Sequence, residues 1–206
     1  MIGRHWAAVA AACLLAATVP GTGKAEPVSM NRILGPMVAC SFEGWSNDTD
    51  PGGLPVRANP DPYAPPIGRI PPRKVIGFDE IAPTLQVDGY QDGWFRISGA
   101  SLPTEADPNH ARMYAVFKGQ GWVPSAMVKA ALASSVLRTA PRADAPRKAS
   151  LQGSRPDGQG GSFRITPDMV AVKKLLSCKG NWVEVSTEFG PGWVDRVCGR
   201  QLTGCP

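Results

Sequence analysis

Apolar and polar residues alternate over short stretches of this chain, and glycine and proline recur between the stretches. Residues 181–194 begin with a run of aromatic and β-branched side chains around Trp182, continue through Gly-Pro-Gly at 190–192, and resume with Trp193. This pattern predicts a β-hairpin with a tryptophan on each arm. No stretch after Pro27 sustains an apolar period of 3.6 residues, so we expect an all-β protein with no helix longer than two or three turns outside the leader.

A similar pair of tryptophan motifs lies upstream. Residues 93–97 read Gly-Trp-Phe-Arg-Ile and residues 121–123 read Gly-Trp-Val. Each pair follows a short apolar strand that ends in arginine, a small residue and a proline turn, at 53–60 in the first case and 135–141 in the second. The same ordered set of motifs therefore occurs twice.

The set Leu-x-Val-Arg-Ala-x-Pro, Gly-Trp-Phe-x-Ile and Gly-Trp-Val-x-Ser resembles the bacterial SH3-like domain family (SH3b), whose members are small five-stranded barrels usually found in exported proteins. The resemblance implies two tandem SH3-like small β-barrels, a first domain at 53–130 and a second at 134–206. Two insertions depart from the family pattern: 98–119 in the first copy and 142–162 in the second.

The N-terminal residues 1–25 have the features of a secretory signal peptide. Arg4 and His5 form a basic head, and an apolar core follows at 6–19. The core is shorter than the roughly 18–20 residues that span a bilayer, so we expect it to be removed. Residues 26–52 then form a lead-in segment with a strand that packs on the first barrel. We therefore expect a periplasmic or secreted protein with no membrane span after signal removal.

Charge adds little to this picture. The formal net charge of the 206 residues is +5, and the leader's Arg4 and Lys24 supply part of it. Because there is no basic stripe or recognition motif, a nucleic-acid partner is not expected. Residues 142–161 are rich in proline, glycine, serine and basic side chains, which predicts a flexible loop.

Four cysteines follow the leader: Cys40, Cys178, Cys198 and Cys205. In an oxidising compartment an even set predicts two disulfides, and spacing alone does not choose among the three connectivities. Cys178 precedes one arm of the 181–194 hairpin and Cys198 follows the other, so the hairpin would bring them towards each other. Cys178–Cys198 is therefore the leading predicted pair, and Cys40–Cys205 is the pair that remains. A zinc site is disfavoured because no C-x-x-C spacing occurs.

Two polar loops precede the first tryptophan pair, Trp94 and Trp122. Asp48 and Asp50 alternate in the way that calcium loops do, but the further oxygen ligands and terminal glutamate are missing, so a plain turn is favoured. Residues 59–72 contain six prolines, which excludes a central strand and predicts a stiff surface loop that carries Tyr63 outward.

Catalytic motifs are absent from the sequence. There is no G-x-S-x-G, S-x-x-K, H-E-x-x-H, P-loop or G-x-G-x-x-G pattern, and His110 is expected to be a solvated loop residue. We therefore predict no enzyme, no catalytic residue, no cofactor and no metal.

Two classes of function remain. The family resemblance implies a binding module for peptidoglycan or for a peptide of a cell-envelope partner. The alternative is a structural or accessory protein-interaction domain, and a cell-wall hydrolase is more remote. The tryptophans are interpreted first as core: Trp94, Trp122, Trp182 and Trp193. The predicted ligand surface is made of other aromatic residues: Tyr63, Tyr90, Tyr114 and Phe189.

Overall fold

The computed structural model describes residues 34–76, 78–104, 112–202 and 204–205, and these residues form strands joined by short turns. The N-terminal strands are β1 (Val38–Ser46), β2 (Leu54–Arg57), β3 (Pro66–Ile70), β4 (Lys74–Ile76), β5 (Asp79–Ile81), β6 (Thr84–Gln91), β7 (Trp94–Pro103), β8 (Met113–Pro124) and β9 (Val128–Lys129). The C-terminal strands are β10 (Ala131–Leu132), β11 (Val136–Arg138), β12 (Arg147–Ser150), β13 (Gly153–Pro156), β14 (Ser162–Ile165), β15 (Lys174–Lys179), β16 (Trp182–Thr187), β17 (Gly190–Val194) and β18 (Val197–Cys198).

The prediction of an all-β chain is confirmed for these residues. Their helical elements are 3-10 turns at Ser125–Met127 and Pro167–Met169. The predicted signal peptide at 1–25 and His110 lie outside the described residues.

The larger sheet has seven strands in the order β3-β2-β8-β7-β6-β1-β9 and curls into a half-barrel. Neighbouring strands are antiparallel. β1 belongs to the predicted lead-in segment and pairs with β6 on one side and β9 on the other, so the expected lead-in strand is present. β3 contains part of the proline-rich stretch and lies at the edge of the sheet, where a missing backbone donor is tolerated.

The C-terminal residues form a five-stranded sheet in the order β12-β11-β17-β16-β15. Three two-stranded ladders accompany the two larger sheets, namely β10 with β18, β13 with β14 and β4 with β5. Residues 142–161 were expected to be a flexible loop, but they contain β12 and β13, and β13 pairs with β14. The prolines of that stretch are compatible with strands because both lie outside the centre of the sheet.

Burial alternates along the strands with the two-residue period of a pleated sheet. In β16, Val183 and Val185 are buried while Trp182 and Glu184 are not fully buried. The buried side chains of both sheets form one continuous hydrophobic cluster, which includes Phe95 and Val123. One main core therefore joins the two larger sheets, and a second, small cluster lies at Ile76, Ile81 and Leu102.

The tryptophans lie outside that continuous cluster, and the interpretation of them as core residues holds only in part. The core positions are the residues directly after each tryptophan, Phe95, Val123, Val183 and Val194, which are fully buried. Adjacent residues of a strand point to opposite faces, so the tryptophans lie on the other face. Of the four, Trp94 and Trp122 are buried and Trp182 and Trp193 are half-buried.

All four cysteines of the described chain are in disulfides, but the predicted pairing is wrong. The bonds are Cys40–Cys178 and Cys198–Cys205. The hairpin argument failed because Cys178 lies on β15, and β16 separates β15 from β17 in the sheet. Cys198 lies beyond β17, where it pairs with Ala131.

The Cys40–Cys178 disulfide is buried and is flanked by backbone hydrogen bonds. Ser41 N donates to Gly180 O (2.7 Å), and Gly180 N donates to Ala39 O (2.8 Å). β1 of the larger sheet is thus joined to the end of β15 in the smaller one, both covalently and by two hydrogen bonds.

The C-terminal tail also packs on the larger sheet. Gln201 donates to Ala82 O (2.7 Å) and accepts from Ala82 N (2.9 Å). Gly199 of the tail lies close to β1 and β6. A Cβ at Gly199 would come within 2.9 Å of Thr84 Cγ2 and 3.2 Å of Glu43 Cβ. A side chain at Gly199 would push the tail away from β1 and β6.

The two disulfides should contribute unequally to stability. Replacing both Cys40 and Cys178 by alanine should lower the free energy of unfolding by about 5 kcal/mol in the chain-entropy model, because the bond joins residues 138 apart. The same change at Cys198 and Cys205, which are 7 residues apart, should cost about 2 kcal/mol. Urea unfolding followed by tryptophan fluorescence measures both, and equal losses would contradict the expectation.

Candidate functional site

A groove of about 270 Å³ lies at one end of the larger sheet. Most of its wall is apolar, and two carboxylates and one guanidinium complete it. The lining residues are Leu54, Pro55, Pro62, Trp94, Pro124 and Met127, with Asp48, Asp50 and Arg57. Apolar pockets with a few convergent polar groups are the usual form of a ligand site.

Trp94 is held at the groove by the turn before β7. Asp92 and Gly93 have positive φ values of 45° and 88°, so they reverse the chain between β6 and β7. Gly93 O then accepts a hydrogen bond from Ser125 N (2.8 Å). This bond holds the 3-10 turn Ser125–Met127 next to Trp94, and so brings Pro124 and Met127 to the groove.

The loop after β2 supplies Pro62 and is fixed by its own hydrogen bonds. Arg57 Nη1 donates to Ala64 O (2.6 Å), and Ala58 N donates to Pro65 O (3.1 Å). Inside the loop, Ala64 N donates to Asp61 O (3.1 Å). The wall of the groove is therefore ordered before any ligand arrives, which lowers the entropic cost of binding.

The acidic wall comes from the turn between β1 and β2. Gly52 N donates to Asp50 Oδ1 (2.7 Å), and Asp50 N donates to Asp48 Oδ1 (3.3 Å). Gly53, with φ 76°, closes the turn by donating its N–H to Asp50 O (2.8 Å). The prediction of a plain turn is confirmed, but the turn also gives the groove two carboxylates.

The smaller sheet contains a loop with the same hydrogen bonds. Arg138 Nη1 donates to Ala145 O (2.8 Å), and Thr139 N donates to Pro146 O (3.1 Å). Arg57 and Ala58 make the corresponding bonds in the loop after β2.

The ends of the two sheets differ, however. Pro124 follows Trp122 by two residues, and the residue in the same place after Trp193 is Asp195. Ser134 Oγ donates to the Asp195 carboxylate and accepts from Arg196 N (2.9 Å). In the smaller sheet, hydrogen-bonded polar groups of Ser134, Asp195 and Arg196 thus stand where the larger sheet has the apolar wall of the groove.

A second cavity, of about 350 Å³, lies where the tail meets β9 and β10. Its lining includes Trp45, Lys129 and Gln201. Lys129 Nζ donates to Val172 O (3.2 Å), and Gln201 is bonded to Ala82. Since the side chains of Lys129 and Gln201 are already bonded within the chain, the groove at Trp94 is the better candidate site.

The four aromatic residues predicted to bind a ligand do not line the groove. Tyr63 is 93% exposed, in the same loop as Pro62. Tyr90 is half-buried, with its ring 5.5 Å from that of Phe95. Tyr114 is 40% exposed and pairs with Leu102, far along β7 from Trp94.

Phe189, the fourth, is covered by a cation. The Arg155 guanidinium lies 5.2 Å from the centre of the Phe189 ring, and Arg155 Nη2 donates to Glu188 Oε1 (2.7 Å). That hydrogen bond lowers the pKa of the exposed Glu188 carboxyl. One face of the Phe189 ring is therefore already occupied within the chain.

Sequence reasoning missed Trp94, Pro124 and Asp48 as members of one site. Trp94 was interpreted as core, and Asp48 as part of a turn only. The available signal was the alternation at 94–97, because Phe95 and Ile97 share the core face and leave Trp94 on the other.

Two further findings concern the part of the chain that the structure describes. It holds no group of three or more histidine, cysteine, aspartate or glutamate side chains arranged to bind a metal ion. None of its helical segments has the length and apolar character needed to cross a membrane.

The loop bond of Arg57 should stabilise the groove. Arg57→Met removes the donor to Ala64 O, and we expect a loss of about 2 kcal/mol in the free energy of unfolding. Amide exchange at Ala58 and Ala64 should become faster. The matched control is Arg147→Met, because Arg147 is an exposed arginine on β12. Unchanged exchange in the Arg57 variant would show that the loop is held by other contacts.

Comparison of the chain with protein-family models, with curated proteins and with solved structures gave no match.

Proposed function

We propose that this protein is an exported, non-catalytic module of the periplasm or cell envelope that binds a peptide segment of a partner in the groove at Trp94. Its two larger sheets are, in this proposal, tandem SH3-like barrels of the bacterial family that the sequence resembles. The observation that carries the function is the groove itself, with proline and tryptophan walls and a carboxylate side.

The tandem arrangement is supported by matching strand pairing. β2 meets β8 through Arg57 opposite Trp122, and β11 meets β17 through Arg138 opposite Trp193. Both arginines make the same loop bond to a carbonyl seven residues further on.

A second match lies in the central hairpins. β6 and β7 shift register between the pairs Val87–Ile97 and Gly89–Arg96. The β15–β16 ladder shifts in the same way, between the pair that Leu175 forms and the pair that Ser177 forms. A bulge of one residue at matching positions favours a common ancestor for the two units.

The chemistry of the groove favours a peptide over a sugar polymer. Glycan recognition relies on several side-chain hydrogen bonds to hydroxyl groups, whereas this wall is mainly proline, leucine, methionine and tryptophan. Rigid apolar walls suit an extended, proline-containing peptide, which loses little entropy on docking.

Export is supported by the sequence of residues 1–25 and by the two disulfides. Disulfides are common in oxidising compartments and rare in the cytosol. A non-catalytic role is supported by the cysteines, since Cys40, Cys178, Cys198 and Cys205 are all bonded and supply no thiolate nucleophile.

A structural role is favoured for the smaller sheet. The hydrogen bond between Ser134 and Asp195 and the disulfide between Cys178 and Cys40 are contacts that join parts of this chain. In this proposal the smaller sheet supports the larger one, which carries the ligand.

Selection from a displayed library of proline-containing decapeptides tests the function directly. Peptides that bind the intact, oxidised protein should bind Trp94→Phe and Pro62→Ala at least about fivefold more weakly, because both side chains line the groove. Tyr63→Ala is the matched control, since Tyr63 adjoins Pro62 but points outward.

The other outcomes are informative as well. Binding that is lost in Tyr63→Ala and kept in Pro62→Ala would place the ligand on the outer face of the loop and contradict the groove. Retention on insoluble cell wall at physiological salt, with no peptide selected, would favour peptidoglycan as the ligand.

A further inference from the structure

The acidic wall of the groove contains an oxygen atom with unmet hydrogen-bonding capacity. Among the described residues, Asp48 Oδ2 is the one buried side-chain oxygen or nitrogen without a hydrogen-bond partner. The other oxygen, Oδ1, accepts a weak bond from Asp50 N at 3.3 Å. Asp48 lines the groove beside Trp94 and Pro124.

An unpartnered buried carboxylate oxygen is costly. Leaving such a group without a donor costs about 1–3 kcal/mol, and more when it is charged. Native structures contain few such groups, and a functional role is one of the recognised reasons for keeping one. Because Asp48 lines the groove, its incompletely bonded carboxylate favours a positively charged ligand there.

The cations near this turn are engaged elsewhere. Arg57 Nη1 donates to Ala64 O (2.6 Å). Arg69 Nη1 donates to Gly52 O (2.9 Å) and Gly53 O (2.6 Å). In the described chain, the ion pairs within 4 Å do not include Asp48 or Asp50. Two carboxylates against one guanidinium leave the groove lining with a negative balance.

Trp94, in the same groove lining, adds a second attraction for a cation. The face of a tryptophan attracts an ammonium or guanidinium group, by about 0.5–1 kcal/mol at exposed sites and about 2 kcal/mol where water is excluded. Pro62 and Pro124 provide apolar surface for the alkyl stem of such a group. The groove volume, about 270 Å³, suits one long side chain and its neighbours.

From these contacts we infer that the groove contains a subsite for the basic side chain of a bound peptide, an alkylammonium or alkylguanidinium group whose positive charge pairs with the carboxylates of Asp48 and Asp50. The inference rests on the proposed peptide-binding function and adds a requirement to it. The ligand must carry lysine or arginine next to its apolar residues.

Titration with n-butylguanidinium chloride tests the subsite without any peptide. Amide shifts of the intact, oxidised protein should saturate around residues 48–53, together with the indole N–H of Trp94. The neutral analogue n-butylurea has a similar shape and should bind at least about tenfold more weakly, because it forms no charge-assisted hydrogen bond.

Asp48→Asn provides the decisive variant. It keeps the Oδ1 acceptor for Asp50 N and removes the charge, so n-butylguanidinium affinity should fall at least about tenfold while the urea midpoint stays the same or rises. Asp144→Asn is the control, because the Asp144 carboxylate is exposed and lies in the matching loop of the smaller sheet.

Three results would overturn the subsite. They are equal affinity for the urea analogue, unchanged affinity in Asp48→Asn, and a marked fall of the urea midpoint in that variant, which would show a structural role for the carboxylate. Peptides that need Pro62 and Trp94 but contain no basic residue would also reject the subsite and leave peptide binding intact. Saturable guanidinium binding with no selected peptide would support the subsite and count against the peptide function.

Discussion

The junction between Cys40 and Cys178 is the contact on which the rest of this fold depends. It joins the start of β1 in the larger sheet to the end of β15 in the smaller one. Hydrogen bonds of Gly180 with Ser41 and Ala39 align the two segments beside it. A half-barrel leaves apolar surface at its open side, and the junction brings the smaller sheet against that surface. The single hydrophobic cluster that spans both sheets is the result.

The groove, too, is held in shape by contacts between segments that are distant in the sequence. Its walls come from four places in the sequence: the turn after β1, β2 with the loop that follows it, the start of β7, and the end of β8 with its 3-10 turn. Each is held by backbone hydrogen bonds, so the walls keep their spacing while their side chains remain available. Such preorganisation is what allows a small site to bind with useful affinity.

Local pattern predicted the strands well, because alternation and turn residues act within a few positions. The turn at Asp48 and Asp50 is one example. The hairpin of β16 and β17 is another, although its turn lies at Glu188 and Phe189 and the predicted turn residues 190–192 belong to β17. The face that each tryptophan occupies was harder to predict. Trp94 and Phe95 are both large and aromatic, so their own side chains do not tell which of the two enters the core, and only the alternation of Phe95 with Ile97 does.

The disulfide pairing and the groove could not be predicted from local sequence pattern, because both depend on residues that are far apart in the chain. Cys178 and Cys198 flank one hairpin, yet the order of strands in the sheet keeps them apart. The partner of Cys178 lies 138 residues upstream, and no local signal marks a pairing of that length. The groove shares this property, since Asp48, Trp94 and Pro124 converge only when β1, β7 and β8 have paired.

The separation of 138 residues between Cys40 and Cys178 also means that strand pairing of β1 can precede disulfide formation during biosynthesis. At about 5–20 residues per second, the ribosome adds Cys178 roughly 10 s after Cys40. β6, the partner of β1, is complete by Gln91, long before that. Cys40 can therefore already lie in a paired strand when its partner cysteine is added to the chain.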